Sequence, residues 1–227
     1  HVRNELIQVA DIWTKPNVTF SKFFSEAKPL ERALVFAAGL FALSVLAALT
    51  AGVASRLDIT AIAYTSIGML VIWFAYATFL HVFAFMVGAR RGVRATIAVY
   101  LLVIGSLQPI FVLALVAIVF AYPDSVRLDD IVGIRLLGGS GVAFIAGAAA
   151  TGKLLSLSAA ALLRGVCAVV FLPYMILGIA AAHNLSSWRA ALAILLSLAF
   201  WTGSYISLYV VGSAMGSEAL LRIFEGR

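Results

Sequence analysis

Residues 62–87 read IAYTSIGMLVIWFAYATFLHVFAFMV, residues 88–94 read GARRGVR, and after Ala95 residues 96–122 read TIAVYLLVIGSLQPIFVLALVAIVFAY. Neither long run contains Asp, Glu, Lys or Arg, whereas the short segment between them holds Arg90, Arg91 and Arg94. Bilayer hydrocarbon is ~30 Å thick, so a helix rising 1.5 Å per residue needs about 20 apolar residues to cross it. Both runs exceed that length and are apolar all round, which no half-solvated surface helix is. The stretch therefore reads as two antiparallel membrane spans joined by a basic turn.

Further spans lie on either side. One covers 33–53, between Arg32 and Arg56; another covers 165–182, ends at His183-Asn184 and extends back towards Leu154; a last one covers 190–211, after Arg189. The expected fold is all-α: a polytopic transmembrane helix bundle of about five spans over residues 32–227. Between the third and fourth spans, Pro123-Asp124-Ser125 opens a polar stretch, and Leu136 to Gly152 is apolar but rich in glycine. We expect a loop with non-spanning helices over 123–164. A sixth crossing or a re-entrant segment at 136–152 is the alternative, because about 17 residues sit at the lower edge of a span.

Residues 1–31 are expected to form a cytoplasmic, interfacial segment. Leu6, Val9, Ile12 and Trp13 recur at helical spacing, so 2–14 reads as an amphipathic helix that Pro16 ends. A second short helix is expected from Thr19 to Ala27, with Phe20, Phe23 and Phe24 on one side. Both belong at the headgroup level; a loop packed on the bundle is the alternative.

Composition agrees with a membrane protein. Of 227 residues, 63% are apolar and only 11% charged, which excludes an ordinary soluble domain and a disordered chain alike. The net charge of +6 does not suggest nucleic acid, because the basic residues sit beside apolar runs with no basic, aromatic-interleaved stripe. With five spans, nine of the sixteen Lys+Arg fall on the side of the N-terminus and seven on the other. The densest basic loop, 88–94, is on the first side, so the N-terminus is expected in the cytoplasm. The sequence opens on His1, its first thirty residues lack the apolar core of a signal peptide, and insertion is expected to rely on the spans themselves. Cys167 is the only cysteine, which rules out an internal disulfide and a multi-cysteine metal site.

Signs of chemistry are sparse. Intramembrane ionisable residues mark proton relays and ion pathways, and the long spans have none at their centres. His81 and His183 lie towards the cytoplasmic ends of spans two and four. Two histidines are the minimum for a bis-imidazole haem, but hydrogen bonding to the protein or a place at the headgroup level is the expected use. No cofactor or metal is expected. Pro109, after Gln108, and Pro173, before Tyr174, each remove a backbone hydrogen bond in mid-span. They act as packing features or as the edge of a cavity, and Gln108 seeks a partner on another helix. Gly212 and Gly216 form a weak small-residue packing motif. No phosphate-binding loop, nucleophile elbow, zinc-protease helix or paired carboxylates occur.

The chain resembles the Yip1 domain family of five-span membrane proteins. Ile12-Trp13-Thr14-Lys15-Pro16 with Thr19-Phe20 resembles its short segment ahead of the first span. Leu80-His81 through Gly88, then Arg94-Ala95-Thr96, resembles its second-to-third span junction, and Pro109 its third-span proline. Gly178 through His183-Asn184-Leu185-Ser186 and Arg189-Ala190 resembles its turn between the last two spans. Two departures are Asn184, where the family pattern has glycine, and the long 123–164 segment. The resemblance implies a non-enzymatic integral membrane protein. Eukaryotic members are linked to Golgi and endoplasmic-reticulum trafficking with small GTPases. The alanine-rich composition, with arginine favoured over lysine, looks bacterial, and that role is not carried over.

The resulting expectation is a membrane scaffold or accessory subunit of a membrane complex in the bacterial inner membrane. Its partners would be the bilayer, other membrane subunits or a second copy of the chain, and Arg90, Arg91 and Arg94 would touch anionic lipid. The alternative is a permease or transporter subunit for a lipid or small solute, with Gln108, Pro109, Pro173 and 136–152 along its path.

Overall fold

The computed structural model describes residues 10–26, 28–54, 59–121 and 159–214. Among the described residues the secondary structure is all helix, joined by short turns and without a strand. A first turn at residues 10–14 (α1) is followed by α2 (Pro16–Ser25), α3 (Pro29–Ala54), α4 (Ile59–Met86), α5 (Val93–Ala121), α6 (Ala159–His183) and α7 (Ser187–Ala214). The last five have 26, 28, 29, 25 and 28 residues, or about 38–44 Å of axis at 1.5 Å per residue. Each coincides with one of the five apolar runs read from the sequence. Segment 136–152, most of 123–164, Gly216 and the start of the first amphipathic helix lie outside the described residues; residues 159–164 already belong to α6. Counting only residues whose side chains are described, no single helix is long and apolar enough to cross a membrane. Val169–His183 and Ser187–Ser204, bent by 119° at their turn, reach that measure as a pair.

The second amphipathic helix starts three residues earlier than its pattern suggested. Pro16 occupies the first helical turn of α2, where its missing N–H would have had no partner in any case. Lys15 alone separates α1 from α2, and the ladder continues past it: the Lys15 amide donates to the Asp11 carbonyl at 2.8 Å and the Thr19 amide to the Lys15 carbonyl at 3.0 Å. The apolar face is the expected one, with Phe20, Phe23 and Phe24 at 0, 3 and 5% exposure. That face packs on α6, as Phe20 beside Gly178 shows. The Trp13 and Tyr174 rings lie 5.3 Å apart, and the Tyr174 hydroxyl donates to the Trp13 carbonyl at 3.2 Å.

Helix α5 is the centre of the bundle. It touches α3, α4 and α6, most extensively α3, and every residue from Ala98 to Ile104 is buried. Close approach is possible where glycine removes a side chain. A Cβ at Gly105 would stand 3.3 Å from the Phe36 ring and 3.4 Å from the Ala37 Cα of α3, and one at Gly178 of α6 only 2.5 Å from Val99 Cγ1. Rings tie the layers together: Tyr100 of α5 meets Tyr76 of α4 at 5.2 Å and Phe171 of α6 at 5.9 Å, while Tyr76 stacks on Trp201 of α7 at 6.0 Å.

Gly178→Ala is expected to destabilise the bundle by about 1–3 kcal/mol through overpacking against the stiff Val99 side chain. At about 2–4 °C per kcal/mol for a chain of this size, thermal unfolding in mild detergent would read the loss, and an unchanged midpoint would refute the close contact.

Candidate functional site

Two matching turns build the polar end of the bundle. At the end of α4, the Gly88 amide donates to the Phe85 carbonyl at 3.0 Å and the Ala89 amide to the Ala84 carbonyl at 2.9 Å, with Gly88 at φ 102°. This is the left-handed helix cap that glycine adopts without steric cost. At the end of α6, the Leu185 amide reaches back to the Ala180 carbonyl at 3.0 Å, with Asn184 at φ 52°. Asn184 therefore does the work expected of glycine, since asparagine is the other residue that visits this conformation readily. Ser186 then starts α7, its carbonyl accepting from the Ala190 amide at 3.1 Å. Ala84, Ala89 and Ala193 close the space between the turns, with Phe83, Val87 and Leu185 against them.

These turns bring together three polar side chains far apart in sequence. His81 lies in the last turns of α4, Thr96 in the first turn of α5, and His183 at the end of α6. Thr96 Oγ1 is 2.9 Å from His81 Nδ1 and 2.8 Å from His183 Nε2, and the ring centroids are 5.7 Å apart. Thr96 is 0% and His183 1% exposed, while His81 is half-buried. A hydroxyl has one proton and two lone pairs, so it donates to one imidazole nitrogen and accepts from the other. Three helices are thus joined at one oxygen.

A hydroxyl between two imidazoles also has the parts of an activated nucleophile. Here the hydroxyl is closed off from substrate, and its visible consequence is to hold α4, α5 and α6 in register. Among the described residues, no three His, Cys, Asp or Glu side chains gather as a metal site would require.

Around the junction lies positive charge. Arg91 donates to the Phe24 carbonyl at 3.2 Å, fastening the end of α2 to the α4–α5 turn. Arg189 Nη1 lies 3.7 Å from the position a Cβ would take on Gly88. Arg90 and Arg94 are exposed, and Trp188 is 69% exposed. On α2–α3 the ion pairs are Arg32 with Glu26, and Lys28 with Glu31 at 3.2 Å.

Of the residues singled out in the sequence, His81 and His183 come together and Arg90, Arg91 and Arg94 share one loop. Pro173 lies within α6 and is exposed. Gln108 and Pro109 fall in α5, but their side chains lie outside the described residues. Thr96 was noted only as part of a junction motif. Its signal is a hydroxyl at the start of an expected span, at the same end of the bundle as both histidines.

A family model described as Yip1 domain matches residues 10–215. No curated protein and no solved structure matches the chain.

Thr96→Val keeps the shape but leaves both ring nitrogens without their partner, at an expected cost of about 1–3 kcal/mol. Thr96→Ser should restore most of it. Chemical or thermal unfolding of the three proteins side by side checks this; equal stability of valine and serine would show that the hydroxyl bridge contributes nothing. At the neighbouring cap, Asn184→Gly should leave stability equal or slightly higher, and Asn184→Val should lower it by about 1–2 kcal/mol, read in the same assay.

Proposed function

The chain belongs to the Yip1 domain family, and from that premise we propose that it is a multi-pass scaffold or accessory subunit of a membrane complex, with no catalytic role of its own. The observation that carries this reading is the placement of its apolar side chains. Beyond the buried core, large apolar groups stand exposed along the helices, among them Val71 at 67%, Val82 at 51%, Phe85 at 69% and Leu195 at 55%. Such a surface suits lipid tails and the helices of other subunits, and is costly in water. The five helices act as five crossings near 33–53, 62–87, 96–122, 165–182 and 190–211. The N-terminal segment and the 88–95 and 183–189 turns face the cytoplasm, on the bacterial inner membrane.

Length supports this arrangement. At about 38–44 Å, the helices exceed the ~30 Å of hydrocarbon, leaving several residues at an end to reach headgroup level. The Arg-rich turns and Trp188 supply the basic and aromatic anchors typical of that level. Arg90 and Arg94, free of the α2 contact that holds Arg91, meet the phosphates of anionic lipid, each worth about 1 kcal/mol near such a surface.

Purification of the tagged chain from its native membrane in mild detergent, followed by mass spectrometry, tests the scaffold role. The expected result is a stoichiometric membrane-protein partner retained through washing; a chain that emerges alone, before and after in-membrane cross-linking, would overturn it.

A further inference from the structure

The junction of His81, Thr96 and His183 depends on the protonation of its two rings. His183 Nδ1 is buried and has no hydrogen-bond partner among the described residues. An unpaired lone pair there is tolerated better than an unpaired N–H, by the asymmetry seen for buried carbonyls and amides. His183 is therefore the Nε2–H form, which donates to Thr96 Oγ1. The Thr96 hydroxyl then donates to His81 Nδ1, and the His81 Nε2–H is left for the more open side of its ring.

Acid disturbs each link. Protonating His81 turns Nδ1 into a donor facing the hydroxyl's own proton, and Thr96 loses its acceptor. A proton on His183 goes to Nδ1, buried where no acceptor is described. Both changes place positive charge together, with ring centroids 5.7 Å apart. From the α4–α5 turn, Arg91 acts on His183 with the same sign. From α2, the facing group is the Phe24 carbonyl, already taken by Arg91. From α7, the cation at the Gly88 turn is Arg189. Among the described residues no carboxylate offsets this charge: Glu26 is paired with Arg32 and Glu31 with Lys28, and neither they nor Asp11 acts on His183. An unpaired charge in such a site is expensive.

We propose that this junction is an acid-released latch. With both imidazoles neutral, it fastens the C-terminal turn of α6 to α4 and α5; when they are protonated, it lets that turn and the α6–α7 connection swing free. Burial, with His81 and Arg91 nearby, holds His183 down to about 4, so the cytoplasmic end of the bundle, including the seat of α2, would loosen progressively as pH falls from the ordinary imidazole range towards that value.

The full chain in nanodiscs of uncharged phosphatidylcholine is the material for the test, with thermal midpoints measured from pH 7.5 to pH 5. Wild type should lose about 4 °C or more across that range. His183→Gln and His81→Gln keep a polar group at the bridge but lack one titrating ring, and should lose less than half as much. A wild-type midpoint that stays constant, or falls no more than those of both variants, would overturn the latch. If His183→Gln does not fold, the half-buried His81→Gln carries the same comparison.

Discussion

From Ala98 to Ile104 helix α5 has no exposed residue, and a helix without a free face must be enclosed by its neighbours. The rest of the bundle follows from that enclosure. Helix α3 closes one side, its backbone brought near by Gly105; α4 closes another through the Tyr76–Tyr100 pair; α6 closes a third, its approach to Val99 allowed by Gly178. Helix α7 has no such close seat on α5 and is held instead by α4 and α6. Gly178 also lies beside Phe20, so the same glycine that lets α6 approach α5 lets the aromatic face of α2 pack on α6. A segment that begins as an amphipathic pattern near the N-terminus thereby becomes part of the core.

The polar contacts collect at one end for the same reason. Along the middle of α5 the described side chains are mostly apolar, and the buried Ser106 hydroxyl turns back to the Val103 carbonyl of its own helix. Near the turns, chain reversals bring in partners from other helices. Thr96 sits in the first turn of α5, at the level where α4 and α6 end, so two histidines meet one hydroxyl within a few ångströms of the caps at Gly88 and Asn184. Arg91 adds a fourth segment by holding the last turn of α2. The apolar packing sets how closely the helices approach; the polar end fixes their register along the axis.

Much of this was legible in the chain. Apolar runs longer than 20 residues announce their helices without help from propensity, and proline and glycine mark the breaks. The amphipathic face Phe20, Phe23 and Phe24 was equally visible. Three things were not. Pro16 does close α1, but that it also opens α2 was missed, although proline in a first helical turn serves as a start. Asn184 looked like a departure until its positive φ showed that it fills the glycine position. The meeting of His81 and His183 through Thr96 spans 102 residues and depends on the packing of three helices, which no local pattern encodes. The expected topology puts both histidines on one side, yet it gives no reason to choose Thr96 as the third member.

The seat of α2 has a consequence for how the protein is made. The Trp13–Tyr174 contact joins residues 161 positions apart. At about 5–20 residues per second of synthesis, roughly 8–30 s pass between the emergence of α2 from the ribosome and that of its partner helix. Throughout that interval Phe20, Phe23 and Phe24 have no α6 to lie against. On the membrane reading proposed above, the bilayer surface would shelter that apolar face until α6 is made. Assembly would then include a transfer in which the α6–α7 hairpin arrives and draws α2 off the lipid and onto the protein.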